Sequence, residues 1–96
     1  MRLVFKSGSI EKFLVTFIEY GKPELPQHII IEYAGGGAYY QAKNHLELLG
    51  LVEESRCFSE QKQMMVKCVR LTEKGKRVVE LLREIRRIAL EGDGGA

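Results

Sequence analysis

The stretch PQHIIIEYAGGGAYYQAKNHLELLG, residues 26–50, decides the fold, because it holds two short helical patterns on either side of three consecutive glycines. Pro26 suits the first position of a helix, where its missing N–H would have had no partner in any case. Ile29, Ile30 and Tyr33 supply the apolar residues of that helix. Gly35, Gly36 and Gly37 stop it, since consecutive glycines lose too much backbone entropy in a helix and tolerate the positive φ of a tight turn. A further helix reads from Ala38 to Leu49, with Tyr39, Ala42, Leu46 and Leu49 on one face, and Gly50 ends it.

Towards the amino terminus, Ile10, Phe13, Leu14, Phe17 and Ile18 form the stripe of an amphipathic helix from about Ile10 to Tyr20. Ser9 suits its N-cap, and Gly21 with Pro23 suits its end. Leu25 falls in a short extended link. Towards the carboxyl terminus the period drops to two, so the stretches Leu51 to Phe58 and Met64 to Leu71 read as strands, with 59–63 as the hairpin tip. Thr72 caps a last helix, about 72–90, whose stripe is Val78, Leu81, Leu82, Ile85, Ile88 and Ala89. The Gly-rich tail, 91–96, reads as disordered.

The 96 residues leave room for one domain. No apolar run approaches the roughly 20 residues of a membrane-spanning helix, and Met1 to Lys6 is too short for a signal peptide, so a cytoplasmic protein without membrane attachment is expected. The net charge of +2 permits nucleic-acid binding without demanding it. All of that excess lies in residues 51–96. Twelve Glu against one Asp and one Asn lean towards a thermophilic source.

The order is helix, link, helix, glycine turn, helix, hairpin, helix, which makes a mainly α fold with a small β-hairpin and contains the parts of a helix-turn-helix followed by a wing. NHLELLGLVEESR, residues 44–56, and VRLTEKGKRVVELL, residues 69–82, resemble the recognition-helix exit and the wing-to-helix junction of small winged helix-turn-helix transcriptional regulators. The resemblance runs to MarR-like and PadR-like regulators and to small winged-helix proteins of archaea and their viruses, over about residues 9–90. It implies a DNA-binding regulator with no enzymatic activity and no cofactor. The sequence departs from that pattern in its three-glycine turn and in a recognition helix with Lys43 as its only basic group.

With Ala42 at the centre of the buried face, Tyr40 and Asn44 fall nearly opposite it, flanked by Gln41, Lys43 and Glu47. Asn and Gln can pair with adenine, Lys can reach guanine or phosphate, and Tyr can reach phosphate or a thymine methyl. A polar helix face is otherwise simply wet, and the helix order favours groove contact over that reading. Lys62 at the hairpin tip, with Arg56 and Lys67 on the strands, stands where wings of that family touch backbone phosphates or the minor groove. Hairpin tips are also polar because they are solvated, and Glu60 counts against phosphate contact. The mixed charges of the last helix, Arg83, Arg86 and Arg87 with Glu80 and Glu84, read as a solvated face. His28, His45, Cys57 and Cys68 lack the spacing of a metal site or a catalytic pair, so neither is expected.

Double-stranded DNA is therefore the expected partner, contacted by Tyr40, Gln41, Lys43, Asn44, Arg56 and Lys62. The alternative is a protein-interaction module within a larger assembly, its third helix facing protein. Val78, Leu82, Ile85 and Ala89 follow heptad-like spacing and suggest a dimerisation helix, unless Leu3, Val4 and Phe5 cover the surplus stripe. Partners in a hairpin turning near Gln61 to Lys62 have residue numbers adding to about 123 to 125. Cys57 and Cys68 meet that condition and would face each other as a disulfide or a close thiol pair.

Overall fold

The computed structural model describes residues 8–94 of the chain, and side chains from 8 to 91. Four helices and a three-stranded antiparallel sheet follow one another as α1 (Gly8–Tyr20), β1 (Glu24–Pro26), α2 (Gln27–Ala34), α3 (Gly36–Leu48), β2 (Val52–Ser59), β3 (Met64–Leu71) and α4 (Glu73–Gly94). The sheet order is β1-β3-β2. Leu25, expected in a link, is the middle of β1 and pairs with Val69. Three residues are too few to show a period, and the strand exists because the free edge of β3 is there to receive it.

One core joins all layers. Phe13, Leu14 and Phe17 of α1, Ile30 of α2, Tyr39, Ala42 and Leu46 of α3, Val52, Val69 and Leu71 of the sheet, and Val79 and Leu82 of α4 are buried together. The 3.6-residue spacing on the helices and the alternation on the strands aim these side chains inward. Leu49, expected on the buried face of α3, lies past its last turn and is exposed. Ser9, expected as the N-cap of α1, sits inside the first turn, and its hydroxyl donates to Gln41 Oε1 at 3.2 Å.

Only Gly35 forms the break between α2 and α3. Its φ of +95° lies in the region that side chains avoid, its N–H closes α2 on the Ile31 carbonyl at 2.7 Å, and its own carbonyl accepts from Tyr39 N at 2.9 Å. Gly36 and Gly37, expected in the turn, begin α3 instead, because the first turn of a helix asks for no backward hydrogen bond from their N–H groups.

The hairpin joins α4 through a tight junction. Thr72 is the N-cap, its Oγ1 accepting from Gly75 N at 3.0 Å and donating to the Gly50 carbonyl at 2.6 Å. The Thr72 N–H donates to the Leu51 carbonyl at 3.0 Å. Buried Glu11 of α1 pairs with Arg86 at 3.3 Å and fixes α4 further along. The helix continues to Gly94, so 91–94, expected in a disordered tail, extend it; Gly95 and Ala96 lie outside the described residues, as do Leu3, Val4 and Phe5. Among the described residues no helix is long and apolar enough to cross a membrane.

Cys57 and Cys68 are joined by a disulfide, with their Cα atoms 5.8 Å apart. They do not face each other directly. In the observed register Cys57 lies opposite Val66 and Cys68 opposite Ser55, so the bond runs diagonally across the hairpin. Diagonal neighbours two residues apart share a face, which keeps the two sulfurs within reach.

Candidate functional site

α3 and the hairpin β2–β3 lie side by side, tied by an ion pair between Lys43 and Glu54. That contact corrects the expectation for Lys43. Its side chain is only 12% exposed and reaches across to β2 rather than outward. The reason is a rotation of α3: Tyr39 and Leu46, both fully buried, pull the inward face roughly 35° from Ala42 towards themselves, carrying Lys43 to the hairpin side. The outward face is then Tyr40, Gln41, Asn44 and Leu48, all exposed, with Gly37 at its start.

Leu48 is the residue that sequence reasoning missed. It is 87% exposed, more than any other large apolar side chain described. The run Leu46-Glu47-Leu48-Leu49 offers three leucines to a core that takes one, and the rotation set by Tyr39 decides which.

The Glu54 contact also shows which side of the hairpin faces α3. Residues two apart on a strand, and direct cross-strand partners, project to the same face. Arg56 and Phe58 therefore lie on the α3 side with Glu54, as do Lys67, the partner of Arg56, and Met65, the partner of Phe58. Lys67 approaches Glu54 at 3.8 Å, whereas Arg56 has no ion pair among the described residues. Lys62 sits in the tip, where its backbone N–H donates to Ser59 Oγ at 3.2 Å and its side chain is exposed. Ser59 is itself buried against His28 Nε2 at 3.0 Å, which braces the tip on α2.

Hydrogen bonding from Lys43, with the positive charges of Lys43 and Lys67, holds the Glu54 carboxyl below the usual glutamate range. A carboxylate lowered in the folded state contributes its full stabilisation above the usual range and loses it as pH falls through the lowered value. The tie between α3 and the hairpin is thus complete at neutral pH.

Beneath the site, Tyr39 stacks on Phe13 with ring centroids 5.5 Å apart and meets Tyr40 edge-on at 4.9 Å. Its buried hydroxyl has no hydrogen-bond partner among the described residues. Burial, and then the nearby Tyr40, Glu54 and Glu47, push its phenol well above the usual tyrosine range. Removing a buried hydroxyl that bonds nothing relieves a desolvation cost of about 1 to 3 kcal/mol. Tyr39→Phe is therefore expected to hold or raise the thermal midpoint, read by circular dichroism; a clear drop would reveal a partner for the hydroxyl.

Of the six side chains expected at the site, Tyr40, Gln41 and Asn44 gather on the outer face of α3 and Arg56 on the adjoining face of the hairpin. Lys62 stands at its tip, and Lys43 is bound up between the two elements. No protein-family model matches the chain, and neither a curated protein nor a solved structure matches it.

Proposed function

We propose that this chain is a winged helix-turn-helix domain that binds double-stranded DNA sequence-specifically as a transcriptional regulator, with α3 in the major groove and the hairpin as the wing. One observation carries the reading. Arg56 and Lys67 stand directly opposite each other on the hairpin face turned towards α3, while the outer face of α3 exposes Gln41 and Asn44. Like charges placed directly opposite destabilise a hairpin, and a phosphate between them reverses the sign. The Gln41 and Asn44 amides carry the paired donor and acceptor that match those adenine presents in the major groove.

The positive charge of this surface comes from the hairpin, since Glu54 neutralises the only lysine of α3. Phosphate positioning then falls to Arg56, Lys62 and Lys67, and base reading to Gln41, Asn44 and Tyr40. Asn44→Ala is expected to weaken the preferred site by about 1 to 3 kcal/mol and relax one base position. Lys62→Ala weakens all sequences alike, and Lys43→Ala leaves the base preference unchanged. Selection from random duplexes followed by anisotropy titration of these variants checks all three; an Asn44→Ala protein with unaltered affinity and preference would contradict the assignment.

A second reading draws on Leu48. An 87% exposed leucine beside Tyr40 also suits a protein interface, in which α3 docks on a partner within a larger assembly. Salt separates the two, because phosphate contacts weaken steeply with ionic strength and an apolar interface does not.

A further inference from the structure

The Cys57–Cys68 bond stands where the sheet narrows from three strands to two. β1 pairs with β3 from Arg70 to Cys68, so Cys68 has Pro26 on one side and Ser55 on the other. Inward of that point the strands are held by the core and by Ser55 Oγ, which donates to Glu24 Oε2 at 2.6 Å. Outward of it, residues 56–59 and 64–67 have each other as strand partners and no third strand beside them. A two-stranded ribbon is marginally stable in water by itself.

Arg56 and Lys67 are the first pair of that ribbon, and each is the chain neighbour of one cysteine. Adjacent residues on a strand project to opposite faces, so the bond lies directly behind the two cations. Glu54, 3.8 Å from Lys67, offsets part of their repulsion, and the bond resists the rest. We propose that the Cys57–Cys68 bond is a redox switch on DNA binding: oxidised, it holds Arg56 and Lys67 together as one phosphate clamp, and reduced, it lets the pair spread so that affinity falls. The assignment rests on the DNA-binding reading above and adds its regulation.

The reductant is a dithiol. Its thiolate attacks Cys57 Sγ, because Cys57 is partly exposed while Cys68 is fully buried. The S–S bond breaks, and Cys68 departs as a thiolate and takes up a proton. The second thiol of the reductant then displaces Cys57, which takes up another. Two electrons and two protons pass to the protein, and the reductant leaves as a disulfide. Coupling runs both ways: if oxidation tightens binding by about tenfold, inside the range of about 5- to 150-fold that coupled sites reach, bound DNA makes the bond harder to reduce by the same factor.

Anisotropy titration of wild-type protein on the best duplex from random selection, with and without dithiothreitol, is expected to give about tenfold weaker binding in reductant and a salt slope nearer zero by about one. Cys57→Ala/Cys68→Ala binds at the reduced value in both buffers, and Arg56→Ala loses most of the redox effect. Saturating duplex lowers the reduction potential of the bond by about 30 mV, the equivalent of tenfold for a two-electron couple, read by alkylating free thiols across a graded ratio of reduced to oxidised dithiothreitol. Equal affinity of the two states, with thiol counts verifying each, would overturn the switch and leave DNA binding standing; no binding in either state would overturn both. Loss of the helical circular-dichroism signal on reduction would also overturn it, since the bond would then hold the whole fold rather than the outer hairpin.

Discussion

Gly75→Ala destabilises the fold by about 3 kcal/mol, although the same change in a helix interior normally adds up to about 1 kcal/mol of propensity. The sign reverses because α4 lies on backbone there. A Cβ at position 75 would meet the Leu51 carbonyl oxygen at 1.9 Å and its carbon at 2.9 Å. That oxygen already accepts from Thr72 N, and Thr72 in turn bonds Gly50 and Gly75, so nothing at the junction can yield without losing a cap. Helix and hairpin would have to part, opening the core around Leu51, Val79 and Leu82. Gly37→Ala is the matched control, since a Cβ at that helical position meets nothing within 4 Å. It is expected to leave stability unchanged or raise it. Chemical denaturation of both variants checks the pair; equal midpoints would show that α4 does not press on Leu51.

Reducing the Cys57–Cys68 bond lowers stability by about 2 kcal/mol. Cross-linking residues 11 apart removes chain entropy from the unfolded state worth about 3 kcal/mol at most, and a hairpin that already holds its register recovers part of that. The loss is expected to concentrate in the outer hairpin, where Phe58, Met64 and Met65 are exposed and the core gives no support. At the base, Val52, Val69 and Leu71 keep the strands paired without the bond. Wild-type protein should therefore melt lower in reductant, and a Cys57→Ala/Cys68→Ala variant should melt at that lower value with or without it. Two free thiols in the denatured protein, with no response to reductant, would contradict the bond.

The elements carried by a strong period were legible in the sequence. The five-residue stripe of α1, the change of period at Leu51 and the Thr72 cap each rest on neighbours in the chain. What escaped depended on distant ones. β1 is a strand only because β3 offers an edge, and the rotation of α3 follows from how Tyr39 meets Phe13. That rotation moved Lys43 into the fold and Leu48 out of it. The cysteine pair was visible from the hairpin arithmetic, but its diagonal placement needed a register that the polar tip leaves open. On α4 the stripe was plain, yet it is two faces: Gly75, a gap in the apolar pattern, marks the side that presses closest on the body.

Fluorescence anisotropy of wild-type protein on duplex DNA across a salt series tests the central claim most directly. If Arg56, Lys62 and Lys67 meet phosphates, log affinity falls linearly with log salt at a slope of about −2 to −3 per chain, and Arg56→Ala brings it nearer zero by about one. Folded protein that retains no duplex at low salt, or that binds with a slope of zero, would contradict the account and leave α3 with Leu48 as a protein-docking face.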